Sequence, residues 1–168
     1  LFSPKKKKSK GDTAASPVSK ENLAIAKSWL ASSDEYNLLV NGTAITAFPV
    51  YYQNDLALLR QSLRIVQAGT EVAEVKGKDL IPAHGLAMSR LLKTSVFSTE
   101  ALTYEQAIAY LRKEAIVLPP SVPKGYVLVT YKEIPLGFVK NIGNRANNLY
   151  PQEWRIRSGY LPDDIRTL

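Results

Sequence analysis

The chain contains no cysteine, which excludes disulfide bonds, thiolate metal sites and thiol nucleophiles from its 168 residues. It also contains only one histidine, His84. A metal site needs several ligands and a catalytic triad needs a nucleophile beside its base, so a single histidine supplies neither. We expect His84 to have a packing or hydrogen-bonding role. We expect neither a catalytic residue nor a metal site in this chain.

Long apolar runs and glycine-rich phosphate loops are also missing. No run approaches the roughly 20 apolar residues of a membrane-spanning helix. The N-terminal lysines precede a Ser/Ala/Pro-rich stretch without the apolar region of a signal peptide. The sequence contains neither a G-x-G-x-x-G nor a GK[ST] motif. These absences predict a cytoplasmic protein without membrane contact and without a local site for a nucleotide cofactor.

Two pairs of neighbouring carboxylates are candidates for acid–base chemistry. Glu71 and Glu74 lie in an alternating, strand-like segment, where residues three apart point to opposite faces. Asp163 and Asp164 lie in the terminal tail. Neither arrangement predicts the paired carboxylates of a glycosidase-type site.

The net charge of +7 is distributed unevenly along the chain. Residues 1–20 hold six basic groups and one acidic group, residues 21–118 hold nine basic and ten acidic groups, and residues 119–168 hold seven basic and four acidic groups. Most of the excess therefore lies in an N-terminal tail, with a modest basic bias in the C-terminal third. By itself this distribution is weak support for nucleic-acid binding.

Residues 1–19 have the low-complexity Lys/Ser/Ala/Gly/Pro composition of a segment that cannot bury a core. We interpret them as a flexible basic linker. A nuclear-import-like patch or an RNA-binding arm at Lys5–Lys8 is the alternative. Because the chain begins at Leu1 and its sole methionine is Met88, we expect it to be a piece of a longer protein.

Residues 20–97 predict a small α+β module. Ser19 is placed to cap a helix that runs through Leu30. Asn41-Gly42 is the strongest hairpin signal of the chain, between the strand-like runs Tyr36–Val40 and Thr43–Phe48. Further strands are predicted at Ser62–Ala68 and Glu71–Val75, a helix is predicted at Ala83–Lys93, and Asp55–Arg60 is ambiguous.

Residues 98–168 predict a second module, in which a helix packs on a mostly antiparallel sheet or barrel. Ser98–Ala101 is a connection, and Thr103 caps a helix at Tyr104–Lys113. Leu118–Pro123 marks either a boundary or an extended lead into the last sheet. The remaining predicted elements are a hairpin of Tyr126–Tyr131 and Leu136–Val139 that turns at Lys132–Pro135, a polar loop at Asn141–Asn148 and a short strand at Trp154–Arg157.

The end of this second module concentrates asparagines, cations and aromatic residues. Asparagine tolerates the left-handed backbone of β-turns, so ordinary turn structure explains at least two of the asparagines. The cations are less easily explained, because only Glu153 provides a local counter-charge. On one face they would neutralise phosphate, and neighbouring aromatic rings would stack on bases. The residues alone leave RNA binding and a plain polar surface equally open. The four cations are Lys140, Arg145, Arg155 and Arg157.

The run PLGFVKNIGNRANNLYPQEWRIR, residues 135–157, resembles the C-terminal PUA-like domain of RsmF-type ribosomal RNA cytosine-5 methyltransferases, the Fmu/Sun group. The family pattern there reads P-L-G-W-x-K, a small loop and N-x-Y-P-x-x-x-R. Upstream, Leu80–Leu92 resembles the P-S-H-A-L-A helix start of the preceding accessory domain, although Ala83 replaces a serine and removes a capping hydroxyl. The C-terminal matches are Pro135, Leu136, Gly137, Phe138 (in place of the commoner tryptophan), Lys140, Asn148, Tyr150, Pro151 and Arg155.

The resemblance implies a linker at 1–19, an accessory domain at 20–97 and a PUA-like RNA-binding domain at 98–168. It implies that the fragment engages ribosomal RNA on behalf of an upstream methyltransferase domain of the same protein. That domain would bind S-adenosylmethionine and supply the cysteine that attacks the base, so no cofactor is expected in this chain. The implied RNA contacts are Lys140, Arg145, Arg155 and Arg157 to phosphate, and Asn148 and Tyr150 to a base.

Two other classes of function are compatible with parts of the sequence. An intramolecular scaffold, packed on the catalytic domain without touching RNA, would have an exposed apolar patch. An independent small enzyme would have a deep polar pocket, and the missing nucleophile and cofactor loop argue against it. For any of these functions we expect a monomer.

Overall fold

The computed structural model describes residues 18–158, which form two modules, each built on a four-stranded sheet. Lys5–Lys8, Asp163 and Asp164 lie outside the described residues. The first module contains helix α1 (Lys20–Ser28), strands β1 (Tyr36–Asn41) and β2 (Ala44–Pro49), helix α2 (Gln53–Ser62), strands β3 (Thr70–Lys76) and β4 (Asp79–Pro82), and helix α3 (His84–Ala87). The second contains strand β5 (Ser98–Ala101), helix α4 (Tyr104–Leu111), and strands β6 (Gly125–Tyr131), β7 (Ile134–Asn141) and β8 (Ala146–Asn148).

The first sheet is an antiparallel meander in the order β1-β2-β3-β4. Its first hairpin turns through Gly42, whose φ of +60° is a conformation that glycine adopts without steric cost. Helix α1 starts where the sequence predicts, because the Ser19 Oγ accepts a hydrogen bond from Asn22 N at 3.1 Å. The predicted hairpin and helix start are both confirmed.

The predicted strand at Ser62–Ala68 is wrong. Helix α2 continues to Ser62, and the residues after it join no strand of the sheet. Leu56 is buried on the inner side of the helix, whereas Leu63 and Val66 remain exposed. The alternating apolar residues of this segment are not buried against a core. Burial therefore does not stabilise a strand here, and the segment forms the end of a helix followed by coil.

The predicted helix at Ala83–Lys93 is also mostly wrong, since α3 ends at Ala87. The chain beyond it leaves the helix to pair with the end of α1. Ala31 N donates to Leu91 O, and Lys93 N donates to Trp29 O, both at 2.8 Å. These backbone hydrogen bonds are favoured over a longer helix because forming them also buries the Leu92 side chain.

A β-bulge in β3 overturns the prediction for the two glutamates. The pairing of β2 with β3 slips between Ile45 and Thr46, which leaves Val72 as an extra residue in β3. Glu71 and Glu74 therefore do not point to opposite faces, and both line the same cleft. Burial, with repulsion from Glu74 as a second cause, raises the pKa of Glu71.

The second sheet has the order β5-β6-β7-β8, with β5 parallel to β6 and the other pairs antiparallel. Helix α4 makes the crossover between the parallel strands. It begins with a capping box, in which Thr103 N donates to Gln106 Oε1 at 2.9 Å and Gln106 N donates to the Thr103 Oγ1 at 3.3 Å. The β6–β7 hairpin turns through Lys132 and Glu133, which have φ of +48° and +67°. The predicted cap and hairpin are confirmed.

Three details of the second module differ from the predictions. Ser98–Ala101 is a strand rather than a connection, because it pairs with β6 as a parallel edge. The polar loop contains the short strand β8. Trp154–Arg157 is not a strand: Gln152–Trp154 form a 3-10 turn, and Ile156 N then donates to Leu111 O at 3.0 Å. Helical backbone after Pro151 takes the chain away from the sheet.

The two modules share packing across their boundary. Leu128 of β6 and Phe138 of β7 are buried in the core cluster of the first module. The Phe97 ring at the boundary lies 5.3 Å from that of Trp29 and 4.8 Å from that of Phe138, measured between centroids. The fold is α+β, as predicted. Within residues 18–158 no helix has the length and apolarity needed to cross a bilayer.

Candidate nucleic-acid interface

A shallow groove of about 330 Å³ lies where the C-terminal segment returns to the end of α4, and we call it the arginine groove. The hydrogen bond from Ile156 to Leu111 fixes this return. It brings Arg155 and Arg157 into the same groove as Arg112, the residue that caps α4. The groove is lined by Arg112, Glu114, Arg155, Ile156, Arg157 and Ser158.

The arginine groove is electropositive, because three guanidinium groups share it with one carboxylate. Arg112 Nη2 donates to Ser158 O at 2.8 Å, which orients that guanidinium. Its buried Nε has no hydrogen-bond partner among the described residues. Arg155 and Arg157 are exposed. Since guanidinium groups offer planar pairs of donors that match phosphate oxygens, the groove suits a phosphate.

Lys140 lies outside this groove, at the boundary between the modules. Its Nζ is 2.6 Å from the Asp79 Oδ2 of β4 and 5.5 Å from the centre of the Tyr126 ring. The hydrogen bond to Asp79, assisted by Tyr126, raises the pKa of Lys140. The ammonium group is therefore already paired with a carboxylate and ties β7 to β4.

Arg145 lies at the tip of the β7–β8 turn and is exposed. Ile142 N donates to Arg145 O at 3.0 Å, and Gly143 N donates to the Asn141 Oδ1 at 2.9 Å, so the turn is closed by its own backbone and by one asparagine. The side chain of Arg145 makes no ion pair within residues 18–158. It is free to contact a phosphate, at a position separate from the arginine groove.

Asn148 has all its side-chain polar atoms in use. Its Nδ2 donates to Tyr110 O at 2.8 Å and to Glu114 O at 3.0 Å, and its Oδ1 accepts from Tyr150 N at 2.9 Å. These bonds satisfy carbonyls at the end of α4 and hold the C-terminal segment against it. Asn148 thus positions the arginine groove and has no free edge for a base.

A larger concave region of about 680 Å³ separates the two modules, and we call it the inter-module cleft. One wall comes from β3 and the start of α3, and the other comes from the C-terminal segment and the end of α4. The charged and aromatic residues that line it are Glu71, Glu74, Lys76, His84, Lys113, Glu153 and Trp154.

The rings of His84, Tyr150 and Trp154 meet at this cleft. Tyr150 and Trp154 approach His84 edge-on, with centroids 5.1 Å and 5.3 Å away. Tyr150 also packs against Tyr110 at 5.4 Å and is half-buried. Burial lowers the pKa of His84, and its buried Nδ1 has no hydrogen-bond partner among the described residues. His84 is thus a neutral packing residue in an aromatic cluster.

The sequence prediction missed Arg112 and the inter-module cleft. A basic residue at the end of a helix is usually explained by the helix dipole, so Arg112 carried no separate signal. Its closeness to Arg155 depends on a backbone bond between residues that are 45 positions apart in sequence. No local pattern reports such a contact.

The link between β5 and α4 lacks the features of a nucleotide-binding loop. The parallel pair β5–β6 has the crossover helix that nucleotide sites use, but Leu102 and Thr103 form the link between β5 and α4. This link has no glycine, and the Thr103 side chain occupies the helix start as its cap. A phosphate group therefore has no backbone cradle there.

Comparisons with known proteins agree with the resemblance seen in the sequence. Residues 97–156 match the family model of the methyltransferase RsmF PUA domain. The chain is 29% identical over 138 residues to the ribosomal RNA small subunit methyltransferase F of Enterobacter sp. (strain 638), covering 82% of this chain and 27% of that protein. It is 26% identical over 160 residues to the enzyme of the same name from Shigella boydii serotype 4 (strain Sb227), covering 95% of this chain and 30% of that protein.

The chain thus spans less than a third of the length of these curated relatives. The matched stretch begins at the boundary residue Phe97 and includes β5 to β8, α4 and the arginines of the groove up to Arg155. Residues 97–156 are therefore similar to the PUA domain of RsmF-type methyltransferases, and the resemblance stated from the sequence is confirmed for this stretch.

Proposed function

We propose that this chain is the RNA-binding C-terminal region of an S-adenosylmethionine-dependent ribosomal RNA cytosine-5 methyltransferase. It engages the substrate RNA and positions it for a catalytic domain that lies outside this chain and binds the methyl donor. The family match and the names of the relatives support the class of protein. Ribosomal RNA as the substrate would place the protein in the cytoplasm.

The arginine groove is the observation that carries this proposal. Arg112 is held by Ser158, and two exposed arginines lie in the same groove with one carboxylate. Each phosphate that such groups neutralise releases counterions and adds salt-dependent affinity. Arg155 and Arg157 are the proposed direct phosphate contacts, with Arg145 as a separate contact at the β7–β8 turn.

The other three residues of the predicted site have different roles in this proposal. Lys140 contributes only where RNA displaces Asp79 from it, because the pair is already formed at 2.6 Å. Asn148 acts indirectly, by holding the C-terminal segment on α4. Tyr150 is half-buried in an aromatic cluster, so it offers a base the exposed part of its ring.

Binding of a structured ribosomal RNA fragment, measured by fluorescence anisotropy across a salt series, tests the proposal. Arg155→Ala/Arg157→Ala in a chain lacking residues 1–17, which keeps the Ser19 cap of α1, should weaken binding and make the slope of log K against log salt shallower by about 1.5. Arg60→Ala/Arg90→Ala removes two exposed charges from the first module and is the matched control. Equal losses for both variants would show that only net charge matters. If deleting residues 1–17 abolished all RNA binding, the binding would belong to the lysine tail.

A second function, docking on the rest of the polypeptide, is supported by helix α2 and the coil that follows it. Leu58, Leu63 and Val66 are 66%, 57% and 91% exposed, and Tyr51 just before the helix is 86% exposed. Several large apolar side chains exposed close together in sequence favour an interaction site on this part of the surface. The relatives extend over more than twice the length of this chain, so a further part of the polypeptide is the proposed occupant.

Hydrogen exchange tests this docking. The amides of α2 should exchange more slowly in a longer protein that includes the preceding region than in this chain alone. Leu58→Glu/Leu63→Glu should remove the difference without unfolding the exposed helix. Identical exchange in both proteins would contradict the docking and leave the RNA-binding proposal untouched.

A further inference from the structure

The inter-module cleft has the composition of a base pocket rather than a phosphate pocket. Glu71, Glu74 and Glu153 contribute three carboxylates, whereas Lys76 and Lys113 contribute two ammonium groups. Lys113 Nζ is also engaged, since it donates to Tyr150 O. A phosphate entering this cleft would meet more negative than positive charge. The arginine groove, with the opposite balance, is the better phosphate site.

One wall of the cleft offers an aromatic surface. Trp154 is 59% exposed although it lies in contact with His84. The 3-10 turn that carries it follows Pro151, and the edge-on contact with the His84 ring holds the indole at the cleft. Stacking of a base on such a ring contributes substantially to binding and does not depend on base identity.

The opposite wall offers hydrogen-bond acceptors. The β-bulge at Val72 turns Glu71 into the cleft together with Glu74. Glu71 is half-buried and makes no ion pair within residues 18–158. Its two carboxylate oxygens are hydrogen-bond acceptors, and two adjacent N–H donors on one ligand edge would match both of them.

We propose that the inter-module cleft binds a single unstacked nucleobase with adjacent amino and imino donors, guanine first among them. The base would lie against Trp154 and present its donor edge to Glu71. This inference rests on the proposed RNA-binding function and adds a second point of contact to it. The arginine groove lies on the same C-terminal segment, only a few residues from Trp154. A single RNA strand would therefore place a phosphate in the groove and a base in the cleft.

Guanine is favoured over the other bases for a geometric reason. Its N1–H and N2–H₂ donors lie side by side on one edge and match the two oxygens of a carboxylate. Hypoxanthine has the same ring and the same N1–H but lacks the amino group. Guanosine and inosine monophosphates therefore differ only in the group that Glu71 is proposed to bind.

Nuclear magnetic resonance of the 168-residue chain tests the inference. The chain has two tryptophans, of which Trp29 is buried and Trp154 is exposed. Titration with guanosine monophosphate should shift the indole N–H signal of Trp154 and leave that of Trp29 unchanged. Inosine monophosphate should bind about tenfold more weakly, as expected for one lost charge-assisted donor.

Glu71→Gln should bring the ratio of the two affinities close to one, and a purely structural role of Glu71 would not do this. Trp154→Ala should weaken both nucleotides alike. Arg90→Ala, at an exposed arginine that does not line the cleft, is the control and should leave both affinities unchanged. The variants should keep the dispersed amide spectrum of the wild type, since Trp154 and Glu71 are not core residues.

Three outcomes would overturn the inference. The Trp154 signal stays in place at millimolar guanosine monophosphate, or guanosine and inosine nucleotides bind equally, or an N-acetylarginine amide binds while nucleotides do not. The last result would assign the cleft to a protein side chain. If the chain still binds ribosomal RNA through the arginine groove, only the cleft is disproved. If neither the nucleotide nor the RNA binds, the proposed function fails as well.

Discussion

The two modules have sheets of equal size but very different surfaces. Between residues 18 and 97 there are eight basic and seven acidic side chains, and eleven large hydrophobic side chains are exposed. Between residues 98 and 158 there are eight basic and five acidic side chains, and only five such hydrophobics are exposed. The first surface is consistent with the docking proposed for helix α2, and the second is consistent with the proposed contact to RNA.

The hydrophobic core, unlike the surface, is shared between the two modules. The side chains of Leu128 and Phe138 belong to the second sheet but are buried in the first core cluster. The parts of the chain that differ most in surface chemistry are therefore held together by shared apolar packing. This sharing makes a cleft between the modules geometrically defined, because neither wall can move freely against the other.

The largest expected effect comes from removing the shared ring. Phe138→Ala should destabilise the protein by about 4 kcal/mol, since Phe138 is only 1% exposed and its loss leaves a cavity beside the Phe97 ring. Because the core is shared, amides in β3 and in β6 should lose hydrogen-exchange protection together. Val117→Ala, at a residue 71% exposed in the same module, should cost less than about 0.5 kcal/mol. Loss of protection in β6 alone would mean that the modules fold independently.

The next effect concerns the glycine beside that ring. A Cβ on Gly137 would lie 2.2 Å from the Tyr110 Oη and 2.9 Å from the His84 Nδ1, and its φ is +143°. Gly137→Ala should therefore cost about 3 kcal/mol through overpacking and backbone strain. Gly77 in the first module has φ +62° and open space around its Cβ position, so Gly77→Ala isolates the backbone cost at about 1 kcal/mol. Urea unfolding measures both, and equal losses would contradict the close packing at Gly137.

The sequence predicted local structure in both modules where a local interaction decides it. Ser19 and Thr103 cap the helices that they were predicted to cap, and Gly42 turns the predicted hairpin. Each depends on residues within four positions of one another, and such interactions are visible in a short window of sequence.

The failures have a common physical cause in contacts between distant residues. The helix predicted at Ala83–Lys93 stops because its second half pairs with Trp29 and Ala31. Glu71 and Glu74 share a cleft because a bulge shifts the register of β3, and a bulge leaves no mark on a simple alternating pattern. Only part of the arginine groove was predicted. The sequence singled out Arg155 and Arg157 as cations without nearby counter-charges, whereas Arg112 lies beside them only in the folded protein.

A smaller effect is expected at the ion pair that joins the modules. Lys140 and Asp79 have side chains 35% and 56% exposed, so solvent screens much of their attraction. A double-mutant cycle of Lys140→Ala and Asp79→Ala should give a coupling energy of about 0.5 kcal/mol that shrinks as salt is added. Lys140→Ala should also change RNA affinity less than Arg155→Ala, because its charge is already compensated. A larger loss for Lys140→Ala would make it a direct RNA contact that leaves Asp79 on binding.

The smallest expected effect is a pH dependence from His84, the only histidine of the chain. Burial lowers its pKa in the folded protein, so the unfolded chain binds the proton more readily. Its contribution to stability is therefore complete above the ordinary pKa of 6.5 and is lost as the pH falls from 6.5 through the folded value. Thermal unfolding between pH 7.5 and 5 should show a falling Tm, and His84→Gln should flatten that fall.

Glu71 acts in the opposite direction and must be separated from His84. Its raised pKa means that the folded protein binds the proton more readily, so stability is lost as the pH rises from the ordinary value of 4.5 through the folded value. Glu71→Gln should therefore raise Tm at pH 7, and the gain should disappear as the pH falls to 4.5. With Gln at position 71, any remaining fall of Tm between pH 6.5 and 5 belongs to His84. If that fall survives in the double variant Glu71→Gln/His84→Gln, neither wall of the cleft is its source, and the desolvated environment assigned to His84 is wrong.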